Sequence, residues 1–312
     1  MKRVKVAIVG MGNVGSTLAY QLISMNVCDD LVLIDLNYDK AWAEAMDLNH
    51  AMGFSDTKMH VFAGGYEDCK DADIVVLAVG APYKIGMTRL DMLEKAAAIV
   101  KAIVPQVVGS GFSGIFVVIT NPVDAMTYLV QRLSGFSAAR VIGTGTSLDS
   151  SRLNKYISDI MGVDARSINA FCMGEHGDSQ MIPWSQITVG GKKFLEILKD
   201  NQARLGEVDL DRVRTDIAQI AYKIVQNKGA TFFGIASVTT QIIKAIIRDE
   251  NKVLPVSVML SGEYGESDVY AGVPAVLTNQ GIKELVEYHL TPQELMEFKQ
   301  SLLILKEANQ KI

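Results

Sequence analysis

Three cysteines in 312 residues, Cys28, Cys69 and Cys172, are too few and too far apart to staple a fold. Their number is odd and no C-x-x-C occurs, which argues against a disulfide framework and a zinc site and favours a reducing, cytoplasmic setting. Histidine is also scarce. His50, His60, His176 and His289 form no H-x-x-x-H or H-x-x-E, so no metal site is expected. No apolar run approaches the ~20 residues that span a bilayer. The basic start MKRVK leads into Val6–Val9 and then into glycines, without a small-residue cleavage site, and reads as a first strand rather than a leader. No block of lysine or arginine exceeds a pair such as Lys192–Lys193, and the net charge is −5. Nucleic acid and anionic membranes are therefore poor partners, while one local arginine could still hold a small anion. Repeats, linkers and low-complexity segments are absent too.

What is present is a length suited to about two domains and a change of texture midway. In the first half, strands are expected at Val4–Val9, Leu31–Ile34, Lys58–Phe62, Ile74–Val79, Ile115–Ile119 and Val141–Ile142. Helical patterns separate them, one opening near Asn13 with Val14, Leu18 and Leu22 on one stripe, another running from Arg89 to Val108. Short apolar strands alternating with helices predict an α/β fold with a parallel sheet wound on both sides. Beyond about residue 145, helices near Leu148, Leu210–Gln226 and Phe232–Arg248 mix with strands at Ser167–Cys172, Ser185–Val189, Val253–Leu260 and Val269–Ala271. Gly190-Gly191 reads as a hairpin turn, and Thr291, Pro292 and Glu294 as the capping box of a last helix. This half is α+β, and a cleft is expected between the two.

Gly10-Met11-Gly12-Asn13-Val14-Gly15 is a G-x-G-x-x-G that follows a strand, opens a helix and lies 20 residues before Asp35, at the end of the next strand. Context makes this common pattern specific. Gly10 permits a tight turn, Gly12 lets the backbone approach a pyrophosphate, and Gly15 lets the helix pack on the sheet. The first N–H groups of the helix, around Asn13 and Val14, then face the phosphates. Asp35 would accept from ribose hydroxyls and repel a 2′-phosphate, which favours NAD over NADP.

His176 stands apart from the other histidines because it sits in the polar, glycine-flanked run Gly174-Glu175-His176-Gly177-Asp178-Ser179. Flanking glycines permit close approach of a ligand. Reducing a carbonyl needs a proton donor with a pKa near working pH, which histidine supplies. Asp149 and Arg152, three apart in one helix, share a face. Spacing alone is equally satisfied by a salt-bridged helix surface. Thr120-Asn121-Pro122-Val123-Asp124 is either a turn or cap, or else an amide presented at the carboxyl edge of the sheet, where such folds bind ligands.

Taken together, GMGNVG, Asp35, TRLDML, ITNPVD, GTGTSLDSSR, GEHGDS, NKGAT and VYAGVPAV occur in the order found in the L-lactate and malate dehydrogenase family. The chain resembles that family over essentially its whole length. It is most similar to the lactate branch, which also contains L-2-hydroxyisocaproate dehydrogenases. The resemblance implies a Rossmann-type dinucleotide-binding domain over 1–143 and a substrate domain over 144–312. It implies NAD as cofactor, a 2-oxo or 2-hydroxy acid as substrate, and a homo-oligomer, dimer or tetramer. By position, His176 matches the acid/base and Asp149 the carboxylate that orients it. Arg152 matches the arginine that grips the substrate carboxylate, Arg89 the one that polarises the carbonyl as a loop from Pro82 to Met92 closes. Asn121 matches the amide contacting the reacting oxygen and the cofactor side, and Thr231 a residue beside the substrate. Tyr83 and Met87 depart from the pattern. Lactate enzymes carry glutamine and usually glutamate there, and malate enzymes carry arginine at the place of Tyr83. With the small Ala221, this points to 2-oxo acids with apolar side chains; the alternative is a plain L-lactate dehydrogenase.

Overall fold

The computed structural model describes residues 3–80 and 89–312, the side chains of 89–91 excepted. The first half runs β1 (Lys5–Val9), α1 (Asn13–Ser24), β2 (Asp30–Ile34), α2 (Tyr38–Met52), β3 (His60–Ala63), β4 (Ile74–Leu77), α3 (Arg89–Gly109), β5 (Ile115–Val118), α4 (Val123–Ser134) and β6 (Val141–Gly143). These six strands pair in parallel in the order β3-β2-β1-β4-β5-β6. Alternate residues enter opposite cores. Val6, Ile8, Leu31, Leu33, Ile74 and Val76 face one side, with Leu18 and Leu22 of α1 and Ala41 and Ala45 of α2. Ala7, Val9, Val32, Ile34, Val75 and Leu77 face the other, under Leu93, Val100 and Val104 of α3 and Met126 and Val130 of α4. Burial on both faces explains why these strands read as continuous apolar runs. Truncating one such side chain, Ile8→Ala for instance, should cost about 2–5 kcal/mol.

The second half continues with α5 (Ser147–Met161), β7 (Ile168–Asn169), β8 (Thr188–Val189), β9 (Lys192–Lys193), α6 (Phe194–Asp200), α7 (Gln202–Leu205), α8 (Leu210–Lys228), α9 (Phe233–Ile247), β10 (Lys252–Ser261), β11 (Ser267–Thr278), β12 (Gly281–Leu285) and α10 (Pro292–Asn309). Its long strands do not form a sheet of their own. β11 pairs antiparallel with both β10 and β12, and the three extend the parallel sheet beyond β6, through the single pair Ser257–Gly143, to nine strands among the described residues. Among the described residues, only β7, β8 and β9 make a separate sheet, and they share a small core with α5, α6 and α8 through Leu153, Ile157, Phe194, Val213 and Ile217.

Several expectations need correction. The strand expected over Ser167–Cys172 shrinks to two paired residues, and that over Val269–Ala271 is the early part of a twelve-residue one. β12, β9, α6 and α7 were not anticipated. The turn at Gly190-Gly191 is there, with φ of +58° and +85°. So is the capping box of α10: Thr291 Oγ1 accepts from the Glu294 N–H and Glu294 Oε2 from the Thr291 N–H. Among the described residues no helix is long and apolar enough to cross a membrane.

Candidate active site

The strand order reverses between β1 and β4, and a crevice at such a switch point opens beyond the carboxyl ends of both strands. The glycine run sits there. Gly10 has φ +101°, and a Cβ on it would lie 2.6 Å from the Ala78 carbonyl oxygen, just past β4. A Cβ on Gly15 would lie 1.9 Å from the Gly10 carbonyl oxygen, so α1 can approach β1 only with hydrogen at that position. Gly12 differs, since a Cβ there meets nothing within 4 Å. It is the N-cap of α1, and no side chain caps the helix. The first-turn N–H groups, at Asn13 and Val14, have no acceptor among the described residues and lie at the positive end of the dipole, as an incoming pyrophosphate requires. Asp35, at the end of β2, accepts from the Met11 N–H (2.7 Å) and the Asn37 N–H (3.0 Å), which fixes its carboxylate beside the glycine turn. The cradle fits a dinucleotide.

The histidine lies on the loop between Met173 and Met181, whose main chains exchange two hydrogen bonds of 2.9 Å. Gly174, at φ +90°, pairs its main chain with Gly272 of β11. A Cβ on Gly272 would lie 2.5 Å from Thr146 Oγ1, so glycine there lets the start of α5 come close. Thr146 Oγ1 in turn donates to the Cys172 carbonyl at 2.6 Å. The result is that Asp149, in the first turn of α5, reaches the loop. Its Oδ2 lies 2.5 Å from His176 Nδ1, and its Oδ1 accepts from Arg152 Nη1 at 3.0 Å. Side-chain exposures of 4%, 14% and 23% for Asp149, Arg152 and His176 decide the question that spacing left open. The pair on α5 is ion-paired, with Asp149 buried and Arg152 partly so, and is not a solvated helix face.

Burial pushes the His176 imidazolium pKa down, but the charge and hydrogen bond of Asp149, with the charge of Asp124, outweigh it, and the net direction is up. Burial pushes the Asp149 carboxyl up, yet His176 and Arg152 bring it below the usual carboxylate range. Asp149 thus stays ionised while the imidazole holds its proton more firmly. With Nδ1 committed to Asp149, the exchangeable proton is the one on Nε2.

Asp124 was not assigned a role from sequence, yet it completes this site. It is 2% exposed at the second position of α4. Its Oδ2 accepts from the His176 main-chain N–H (2.8 Å), and its Oδ1 from the Ser257 hydroxyl on β10 (2.5 Å). Burial drives its carboxyl up to about 6, against the lowering hydrogen bonds from Ser257 and His176. The only signal in the sequence is an acid in a helix's first turn, which usually means a solvated residue favoured by the dipole.

Asn121 is exposed between β5 and α4, three residues before Asp124. Thr231 is half-buried just ahead of α9, and Ala221 half-buried on α8. Arg89 is the first residue of α3. Tyr83 and Met87, with the side chain of Arg89, lie outside the described residues. His50, His60 and His289 are exposed, and His60 pairs with Asp30. All three cysteines are free and buried, and desolvation pushes Cys28 and Cys69 up to about 12.

A dinucleotide cradle on one half and a partly buried carboxylate–imidazole–arginine cluster on the other define a class, the nicotinamide-dependent oxidoreductases. Residues 4–143 match the family model of the lactate/malate dehydrogenase NAD binding domain, and residues 146–312 that of the lactate/malate dehydrogenase alpha/beta C-terminal domain. The chain belongs to the lactate/malate dehydrogenase family, and its cofactor is NAD. It is 48% identical over 303 residues to L-lactate dehydrogenase 3 of Bacillus cereus, covering 97% of this chain and 96% of that one. It is 46% identical over 304 residues to L-lactate dehydrogenase 2 of Bacillus anthracis, with the same coverage. The solved minor L-lactate dehydrogenase from Enterococcus mundtii, in its ligands-bound form, is 45% identical with a TM-score of 0.97, covering 99% of this chain and 98% of that one. In its ligands-unbound form the TM-score is 0.91 at 43% identity, with coverage of 99% and 97%.

Proposed function

We propose that the protein is an L-2-hydroxy acid dehydrogenase whose substrate pair is pyruvate and L-lactate. The observation that carries this reading is the buried Asp149–His176 contact of 2.5 Å beside Arg152. The L-lactate dehydrogenases among its relatives support it. Residues 1–143 hold the cofactor through Gly10, Gly12, Asn13, Val14, Gly15 and Asp35, and residues 144–312 supply the substrate groups. The bound nicotinamide supplies a hydride to the carbonyl carbon. Arg152 takes the substrate carboxylate; among the described residues its bond to Asp149 runs from Nη1 alone, which leaves the rest of its planar fork for a two-pronged contact that lysine could not make. His176 gives the Nε2 proton to the carbonyl oxygen, and Asp149 stabilises the imidazolium until that moment. Arg89 polarises the carbonyl, while Asn121 and Thr231 border the reacting group. The working unit is a homo-oligomer, dimer or tetramer, in the cytoplasm.

A second reading rests on Tyr83 and Met87, which stand where polar residues are usual, and on the small Ala221. On this reading the enzyme also takes 2-oxo acids with longer apolar side chains, as L-2-hydroxyisocaproate dehydrogenases do. Each methylene in an apolar pocket contributes at most ~1–3 kcal/mol, so the preference would be graded. Measuring kcat/KM with NADH for pyruvate, 2-oxoisocaproate, phenylpyruvate and oxaloacetate separates the two. Pyruvate far ahead supports the lactate reading. Parity of 2-oxoisocaproate with pyruvate supports the broader one. Oxaloacetate as the best substrate, or no turnover of any of the four, refutes both.

A further inference from the structure

The His176 loop is tethered by its main chain as well as by its imidazole, and the two tethers come from different helices. The Glu175 N–H donates to Ser301 Oγ of α10 at 2.8 Å, and the next N–H, that of His176, to Asp124 Oδ2 of α4 at 2.8 Å. A neutral hydroxyl is enough at the first point. At the second stands a carboxylate that is 2% exposed, itself braced by Ser257 on β10 at 2.5 Å. Gly143 makes that brace possible. A Cβ on it would lie 2.8 Å from the Ser257 Cβ and 2.4 Å from Thr127 Oγ1 of α4, so the sheet and helix could not close together. Burying a charge is expensive unless it is paired and hydrogen-bonded, and here desolvation outweighs the hydrogen bonds from Ser257 and His176. Asp124 also follows Asn121 by three residues, so one short stretch of chain places both the amide at the mouth of the first half and the anchor of the histidine in the second.

We propose that Asp124 is a positioning residue of this enzyme: through the main chain of His176 it sets the imidazole against Asp149, and its charge adds to that of Asp149 in holding the imidazole proton. The proposal rests on the reading of His176 as the proton donor. Asp124 does not touch the reacting atoms. Among the described residues, the charged groups facing it are His176 and Glu175 on the loop, while β10 presents only the Ser257 hydroxyl. Those facing His176 are Asp149 and Arg152 on α5 and Asp124 on α4.

Asparagine separates position from charge. Its Oδ1 can accept from the His176 N–H while its amide donates to Ser257 Oγ. Alanine removes both. The test measures kcat and KM for pyruvate between pH 5.5 and 9, with the NADH dissociation constant, for wild type, Asp124→Asn, Asp124→Ala and His176→Ala. Misplacing the donor by about 1 Å can cost ~10²-fold. Asp124→Ala should therefore lose kcat on that order with NADH affinity held, and Asp124→Asn should recover to within about tenfold of wild type. In both variants the pH above which reduction declines should move down, because a negative charge beside the imidazole has gone. A wild-type profile for Asp124→Asn together with wild-type kcat for Asp124→Ala overturns the proposal. So does a drop in activity with an unmoved pH profile, which a purely structural residue would give. If Asp124→Ala does not fold, the profile of Asp124→Asn decides alone. His176→Ala keeps the two claims apart. Turnover retained there refutes the donor reading itself, whereas its loss beside unaltered Asp124 variants refutes only the positioning role.

Discussion

Replacing Asp124 by asparagine should make the protein more stable at neutral pH, and the gain should shrink in acid. The carboxyl rises from 3.8 to about 6 on folding, chiefly through desolvation. The native state therefore binds this proton more tightly than the unfolded chain does. Stability from that proton is fully present below 3.8 and is lost as pH rises through about 6. Above that, the ionised, fully buried group costs about 3 kcal/mol, at 1.36 kcal/mol per pKa unit. Asparagine has nearly the same shape, can satisfy the His176 N–H and the Ser257 hydroxyl, and carries no charge to desolvate. Allowing for imperfect hydrogen bonds, it should lead wild type by about 1–3 kcal/mol at pH 7.5. The assay is urea unfolding of both proteins at one protein concentration, in steps from pH 4.5 to 8. The difference should fall by more than half on reaching pH 4.5. A difference constant across that range, or a wild type ahead by more than about 1 kcal/mol at pH 7.5, would refute the reasoning.

The glycine run offers a contrast within six residues. Gly15→Ala, whose Cβ would sit 1.9 Å from the Gly10 carbonyl oxygen, should lower the melting temperature and cofactor binding together. Gly12→Ala meets nothing within 4 Å among the described residues, so it should leave the melting temperature within a degree or two while weakening NADH at least about tenfold; equal effects on melting at the two positions would contradict this. NADH should be preferred to NADPH by kcat/KM, because Asp35 is fixed at the turn by the Met11 and Asn37 N–H groups and is followed by Leu36, Asn37 and Tyr38, none of them basic. Parity between the cofactors would show that Asp35 does not face the ribose.

How far the sequence could be read depended on whether a residue's task is local. The glycine run is local: a turn that needs φ +101° at Gly10 and contact at Gly15 admits only glycine, so its pattern and its physics coincide. The strands of the first half were visible because burial on both faces leaves unbroken apolar runs. β11 was seen only in part, since Gly272 and Pro274 interrupt it, and each is tolerated for a non-local reason. Gly272 makes room for Thr146, and Pro274 faces Pro255 across the ladder. β12 and α6 are short and carry mixed polarity, so neither period stands out. In the site, the spacing of Asp149 and Arg152 put them on one face of a helix but said nothing of which way that face looks. Asp124 was harder still. A first-turn acid exposed to water and one buried against another loop's main chain are spelled alike, and only the packing of α4 against β10 tells them apart.

That packing bears on why His176, the proton donor of the proposed reaction, is held as it is. An imidazole could be immobilised by apolar contacts, but desolvation would then lower its pKa and leave it neutral when a proton is needed. This protein uses fixed polar atoms instead: a carboxylate on Nδ1, a second carboxylate on the main-chain N–H, and a serine hydroxyl on the preceding N–H. Each restrains the loop, and the two carboxylates favour the protonated ring as they do so. By the shift of its carboxyl, Asp124 should leave the native state less stable at neutral pH than an amide there would. Its presence is understandable if the site is organised around the charge that His176 must carry before the reaction and lose during it. On that view the stability lost at Asp124 and the proton held at His176 are two readings of one interaction, and the asparagine variant should move them in opposite directions: more stable as a protein, and a weaker acid catalyst as the pH rises.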